Sequence, residues 1–139
     1  MRLIIHTDGG SRGNPGVAGG GVVVLDEKKR ELHSEGFSFG TKTNNEAEYL
    51  AVIEAMKWLQ GFAQENAVEK VRFVLDSKLV VEQLSRHWKI REARLKDLAA
   101  QCWQYAGALP FPVEFFHVLR HENARADLLA NEAMDRAKQ

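Results

Sequence analysis

The sequence lacks several features that would define its class at once. Cys102 is the single cysteine among 139 residues, which excludes an internal disulfide and a zinc site built from thiolates. No segment approaches the roughly 18 consecutive apolar residues of a membrane-spanning helix. The formal net charge is zero, so no global excess of positive charge points to nucleic acid. We therefore expect one soluble, cytoplasmic domain over residues 1–139, long enough to bury a core without structural metal.

The chain does have a hydrophobic pattern, and its period changes along the sequence. The predicted elements, in order, are strands at 3–7, 20–25 and 31–39, a helix from Asn45, a strand at 71–75, two helices, a strand at 113–118, and a helix from about Ala124. Gly107 stands where a glycine often follows a helix end. The order predicts the α/β class, with a mixed sheet and helices on its faces.

The first strand is followed by an unusual segment, HTDGGSRGNPG, at residues 6–16. Asp8 ends the apolar run, and glycine, asparagine and proline dominate the residues after it. One interpretation is a turn opened by Asp8. The other is a metal-binding carboxylate beside a flexible loop that approaches a phosphate chain. The segment matches neither a P-loop nor the dinucleotide fingerprint.

Four acids occupy the ends of predicted elements: Asp8, Glu48, Asp76 and Asp127. Each has a structural alternative, since Asn45 with Glu48 forms a candidate capping box, Asp76 a candidate N-cap, and Asp127 a favourable charge at a helix start. If the first and fourth strands are neighbours, Asp8 and Asp76 repel each other unless a cation joins them. Oxygen ligands suit Mg²⁺ or Mn²⁺, and two such ions about 4 Å apart can clamp a phosphodiester.

Taken in order, four motifs make the sequence resemble type 1 ribonuclease H over nearly its whole length. They are Thr7-Asp8-Gly9-Gly10 with Gly13-Asn14-Pro15-Gly16, Thr43-Asn44-Asn45-Glu46-Ala47-Glu48-Tyr49, Leu75-Asp76-Ser77, and Asn123-Ala124-Arg125-Ala126-Asp127-Leu128-Leu129-Ala130-Asn131. The resemblance implies a five-stranded mixed sheet, three strands antiparallel and then two parallel, flanked by about four helices.

The resemblance also implies roles for the acids. Asp8, Glu48, Asp76 and Asp127 would be both catalytic and metal-binding, with two Mg²⁺ ions per site and Mn²⁺ as a substitute. Glu46 is a rival to Glu48, but the family's acid comes three residues after the second asparagine, which favours Glu48.

Asparagines near the site are expected to recognise the substrate. Asn14, Asn44 and Asn45 would lie in the minor groove of an RNA–DNA hybrid and bond to 2′-hydroxyl groups, which only RNA offers. Gly9 and Thr43 are expected beside them as further substrate-binding residues. The alternative is that these are plain turn and cap residues.

Two regions depart from the family pattern. The large basic protrusion is reduced to residues 86–96, which we predict to bind the DNA strand, with Trp88 stacking on a sugar or base; the alternative is a solvated helix face. The loop before the last helix is compact and offers both Arg120 and His121. We predict that His121 assists catalysis by proton transfer and that Arg120 acts in binding.

The sequence therefore predicts an endonuclease that hydrolyses the RNA strand of RNA–DNA hybrids and leaves 5′-phosphate and 3′-hydroxyl ends. The alternatives are a nuclease of the same fold that also cuts double-stranded RNA, and an inactive hybrid-binding module. We expect a monomer with no obligate protein partner and no membrane association.

Overall fold

The structure is a computed structural model that describes residues 1–137. In chain order its elements are β1 (Arg2–Gly13), β2 (Gly16–Asp26), β3 (Glu31–Lys42), α1 (Asn44–Glu65), β4 (Lys70–Leu75), α2 (Lys78–Leu84), α3 (Ala93–Ala108), β5 (Val113–His117), a 3₁₀ turn (Arg120–Asn123) and α4 (Ala124–Ala137). Among these helices, none has the length and apolar character needed to cross a membrane.

The five strands form one mixed sheet in the order β3-β2-β1-β4-β5. The β1–β2 and β2–β3 pairs are antiparallel, whereas β1–β4 and β4–β5 are parallel. This confirms the expected fold class. The first and fourth strands are neighbours, which is the condition under which Asp8 and Asp76 were expected to repel each other. Parallel pairing of β1 with β4 ends at His6 and Val74, so Asp8 and Asp76 follow at the same edge of the sheet.

The expectation of a turn or a flexible loop directly after Asp8 is wrong. Strand β1 continues through this segment and pairs with β2 until Gly13 lies opposite Gly16. Glycines in β1 and β2 allow helices to lie directly on the two strands. Gly21 of β2, the partner of Asp8, is an example, because a Cβ atom there would clash with the backbone carbonyl of Ala126 in α4. The chain turn is confined to residues 13–16.

Helices cover both faces of the sheet. Consecutive strand residues point to opposite faces, and a Cβ on Gly9 would meet α1 whereas one on Gly10 would face Met134 of α4. The main core lies on the α1 side, where side chains of the sheet, α1, α2 and α3 are buried together. Gly107 does not follow the end of α3, as predicted, but lies within the helix, which ends at Ala108.

Candidate active site

Three acids meet at the edge of the sheet where β4 ends. One carboxylate oxygen from each of Asp8, Glu48 and Asp76 lies within 4.8 Å of the others. Asp8 comes from β1 just past its pairing with β4, Asp76 directly follows β4, and Glu48 lies in α1 close to its start. The crossover between parallel strands thus brings together Asp8 and Asp76, which are 68 positions apart in the chain.

The local structure at the start of α1 leaves Glu48 available for this cluster. Thr43 is the N-cap, and its Oγ1 accepts a hydrogen bond from the Glu46 backbone N–H at 3.2 Å. Glu46 Oε1 in turn accepts from the Thr43 N–H at 3.0 Å, and this bond holds the pKa of Glu46 below its usual value. The structural alternative for Glu48, a capping box with Asn45, is therefore wrong, and Glu46 is not a rival for the site because it forms the box with Thr43.

One oxygen of the Glu48 carboxylate accepts a hydrogen bond, and among the described residues the other has no hydrogen-bond partner. Oε1 accepts a hydrogen bond from the Gly9 N–H at 3.2 Å. Oε2 is buried and has no hydrogen-bond partner among the described residues. Glycine is required at position 9 because a Cβ there would clash with the backbone of Ala47 in α1. A buried anionic oxygen is costly without a partner, and a divalent cation between the three acids would supply one.

Electrostatics in the cluster lead to the same conclusion. Burial raises the pKa of Asp8, and the nearby Glu48 and Asp76 raise it further. Burial likewise raises the pKa of Glu48, to about 8. Acids at this spacing cannot all ionise without a counter-charge. Because the donors are carboxylate oxygens without histidine or cysteine, the set fits Mg²⁺ or Mn²⁺.

Asp127 lies near the three acids, although it is not within the tight cluster. All four acids line one open groove with a volume of about 440 Å³. Arg120 lines this groove as well, and its Nη2 lies 3.7 Å from Asp127 Oδ1. His121 is exposed and does not line the groove. Of the two residues predicted from the compact loop, the fold thus brings Arg120 to the acids and leaves His121 outside.

Two of the three predicted asparagines line the same groove, and the third is hydrogen-bonded to one of them. Asn44 Oδ1 accepts from the Ser11 N–H at 2.8 Å, and the Asn44 N–H donates to Asn14 Oδ1 at 3.0 Å. Asn44 and Asn45 line the groove, whereas Asn14 is exposed in the turn that joins β1 to β2. Thr43 is occupied as the cap of α1. The fold therefore brings Asn14, from a hairpin, into contact with Asn44, at a helix start.

Sequence reasoning missed polar residues that connect α4 to the groove. Arg12 pairs with Asp135 at 2.5 Å and donates to the Asn131 carbonyl at 3.3 Å, and Asn131 Nδ2 donates to the Asp127 carbonyl at 2.9 Å. The spacing along the sequence could have identified them. Arg12 follows Asp8 by two strand periods and Asn131 follows Asp127 by one helical turn, so each lies on the same side of its element as one of the acids. The buried Asn123, at the start of α4, was missed as well.

The basic segment at 86–96 lies outside this groove. Trp88 is 44% exposed and lines a separate surface cavity of about 530 Å³ with basic side chains that include Arg86 and Lys96. The Arg86 guanidinium stacks on Trp103 at 3.8 Å. Trp88 is thus partly accessible for stacking on a nucleic acid and shares its cavity with basic side chains that can bind phosphates.

Comparison with known proteins supports one family throughout. A family model described as reverse transcriptase-like matches residues 6–133. A ribonuclease H of Trichodesmium erythraeum is 34% identical over 94% of this chain and 87% of its own length. A bifunctional protein of Mycobacterium tuberculosis is 39% identical over the whole chain, which spans only 37% of that relative.

Solved structures agree with the sequence relatives. The crystal structure of LC11-RNase H1 in complex with an RNA/DNA hybrid is 42% identical, with a TM-score of 0.94 over 99% of both chains. RNase H1 from the halophilic archaeon Halobacterium salinarum is 33% identical, with a TM-score of 0.90 over 98% of this chain and 99% of its own. Because family model, relatives and fold agree over nearly the whole length, the chain belongs to the type 1 ribonuclease H family.

Proposed function

We propose that this chain is an endonuclease that hydrolyses the RNA strand of RNA–DNA hybrids with two divalent metal ions, leaving 5′-phosphate and 3′-hydroxyl ends. The observation that carries the proposal is the buried, unpartnered Glu48 Oε2 within a cluster of three acids among the described residues. The similarity to a relative crystallised with an RNA/DNA hybrid supports the choice of substrate.

The proposed metal ligands are Asp8, Glu48, Asp76 and Asp127, which line one groove. When bound, two Mg²⁺ ions would activate water and stabilise the leaving oxygen. The chain itself orients the ligands. The Gly9 N–H donates to Glu48, and Ser77 caps α2 by accepting from the Val80 N–H at 3.3 Å, so Asp76 does not serve as the cap. We propose that Mn²⁺ substitutes for Mg²⁺ and that Ca²⁺ does not, because Ca²⁺ accepts looser geometry than the displacement requires.

Recognition of the RNA strand is assigned to the three asparagines in and beside the groove. Asn14, Asn44 and Asn45 carry amides that both donate and accept, so they can pair with 2′-hydroxyl groups, and a DNA strand lacks these groups. Gly9, which lines the groove, would contact the RNA strand beside them. Arg120, next to Asp127 at the groove, would bind a phosphate of the RNA strand.

Contacts to the DNA strand are assigned to residues 86–96. Trp88 would stack on a sugar or base, and the exposed Arg91, Arg94 and Lys96 would bind phosphates. Their side chains lie outside the acid groove, which fits a second strand held apart from the strand that is cut. We further propose that the protein acts in the cytoplasm as a monomer without an obligate protein partner.

Cleavage assays on end-labelled duplexes of one sequence test the proposal. The substrates are an RNA–DNA hybrid, double-stranded RNA and double-stranded DNA, each in Mg²⁺, Mn²⁺ or Ca²⁺. We expect internal cuts in the RNA of the hybrid, with 3′-hydroxyl ends that a polymerase can extend, in Mg²⁺ and Mn²⁺ alone. Equal cutting of double-stranded RNA would show the broader nuclease, and binding of the hybrid without cutting in any metal would show an inactive binding module.

A further inference from the structure

We propose that Asn123 is a positioning residue for the active site. It fixes the start of α4, and with it Asp127, against strand β1 at the residues that precede Asp8. The inference rests on the proposed function and goes beyond it, because Asn123 does not line the acid groove and the sequence pattern assigns it no role in recognition or catalysis.

Asn123 is almost completely buried, with 1% of its surface exposed, although it ends the 3₁₀ turn at the molecular surface. Its Nδ2 donates a buried hydrogen bond to the Thr7 carbonyl at 2.8 Å, across a separation of 116 residues. Buried amides in folded proteins are nearly always hydrogen-bonded, and here the bonds reach a different element of the fold. The side chain therefore ties the beginning of α4 to the central strand.

The second bond of Asn123 goes to the preceding residue of the same strand. Because Nδ2 donates to Thr7, Oδ1 is the acceptor, and the Nδ1–H of His6 donates to it at 2.9 Å. Two bonds to consecutive residues fix both the distance and the rotation of the amide relative to β1. The next residue of β1 after these two is Asp8.

The location of these bonds explains why a side chain is needed. Parallel pairing between β1 and β4 ends at His6 and Val74, so the Thr7 carbonyl lies where the ladder has stopped. The Asn123 amide bonds to this carbonyl instead. Helix α4 begins directly after Asn123, and Asp127 lies in its first turn. The anchor thus sets where the Asp127 carboxylate lies relative to Asp8.

The test compares three variants with the wild-type protein. Asn123→Ala removes both bonds and His6→Ala removes one of them. Asn66→Ala is the matched control, because Asn66 Nδ2 also donates to a backbone carbonyl, that of Phe62 at 3.0 Å, just past the end of α1 that lies away from the acids. Mn²⁺ binding is measured by calorimetry without substrate, kcat and KM are measured on the hybrid, and folding is measured by circular dichroism.

We expect Asn123→Ala to weaken Mn²⁺ binding and to lower kcat, each by about 10–100-fold, as losses of residues that support metal ligands do. KM for the hybrid should change by less than about 3-fold, and Asn66→Ala should match the wild type in all three quantities. A folded Asn123→Ala protein with wild-type Mn²⁺ affinity and kcat would overturn the proposal.

His6→Ala keeps the proposal testable if Asn123→Ala does not fold. We expect it to weaken Mn²⁺ binding by at least about 3-fold, and unchanged binding in this variant would overturn the proposal. The calorimetry also separates this inference from the proposed function. If the wild-type protein binds Mn²⁺ but cuts no hybrid, the proposed function fails, whereas the Mn²⁺ affinities still decide the role of Asn123.

Discussion

The guanidinium of Arg120 lies 3.7 Å from the carboxylate of Asp127, at the edge of the groove that holds Asp8, Glu48 and Asp76. Asp127 thus faces a cation on one side and the acid cluster on the other. The Arg120 side chain is 80% exposed and that of Asp127 is 31% exposed, so the pair itself contributes little to stability. Its importance lies in where it places a positive charge.

The first prediction concerns this arginine and its neighbour. Arg120→Ala should lower kcat/KM for hybrid cleavage by about 10-fold or more, because a charge-assisted bond to phosphate is worth about 1.5–3 kcal/mol. His121→Ala should change it by less than about 3-fold, since His121 lies outside the groove. Steady-state cleavage kinetics measure both. A larger loss in His121→Ala than in Arg120→Ala would restore the role that the sequence predicted for His121.

The second prediction concerns the packing of β1 on α1. Gly9→Ala should destabilise the protein by about 1–3 kcal/mol, because the added Cβ clashes with the backbone of Ala47 and pushes α1 away. Cleavage should fall as Glu48 moves from Asp8. The matched control is Gly61→Ala. Gly61 lies in α1, the helix that Gly9 contacts, and a Cβ atom there meets nothing within 4 Å. That change should stabilise the protein by about 0.5–1 kcal/mol without affecting cleavage. Equal free energies of unfolding for the two variants in urea would show that α1 does not pack closely on β1 at Gly9.

Strand β1 and the start of α1 show which parts of the fold the sequence can and cannot predict. The order of strands and helices along the chain was predictable, because the period of apolar residues is a local property of the sequence. The arrangement of the strands in the sheet came only from the family resemblance, and the acids were noticed because each lies at the end of a predicted element. The length of β1 was not predictable, since glycine-rich segments are typical of turns and the reason for Gly9 and Gly21 is the close approach of two helices. The capping of α1 was misassigned for a related reason: Thr43 and Asn45 are both good N-caps, and the start of the helix decides between them.

The third prediction concerns the β2–β3 turn. Asp26 accepts hydrogen bonds from the Arg30 and Lys28 N–H groups, each at 2.9 Å, and the Arg30 bond is the main cause that holds its pKa below the usual value. A lowered folded-state pKa stabilises the protein above the unfolded pKa of about 3.9, and this stabilisation is lost as the pH falls through the folded pKa. Asp26→Asn should therefore reduce the free energy of unfolding at neutral pH, and the difference from wild type should shrink in acid.

Urea unfolding at pH values from neutral to acid measures the effect of Asp26→Asn on stability. Hybrid cleavage at neutral pH should stay unchanged, because Asp26 lies far along β2 from the acids. A difference between Asp26→Asn and wild type that is constant with pH would show that the hydrogen bonds do not depend on the charge of Asp26.

The fourth prediction concerns the basic segment. Replacing Arg91, Arg94 and Lys96 together with glutamate should weaken hybrid binding regardless of base sequence. The logarithm of the affinity should also depend less steeply on the logarithm of salt concentration, by about 0.9 for each phosphate that is no longer neutralised. Fluorescence anisotropy at several salt concentrations measures both quantities. Unchanged affinity would show that residues 86–96 form only a solvated surface.

The proposed function depends above all on the clustered acids holding the metal ions for cleavage. The decisive experiment is the single-turnover rate on an RNA–DNA hybrid for Asp76→Asn in Mg²⁺, beside the control Asp97→Asn on the exposed surface of α3. We expect Asp76→Asn to remain folded, to bind the hybrid as wild type does, and to cut at least about 100-fold more slowly, since loss of a ligand costs more than loss of a supporting residue. Asp97→Asn should cut at the wild-type rate. Folded Asp76→Asn protein that keeps more than about a tenth of the wild-type rate would contradict this role of the acids.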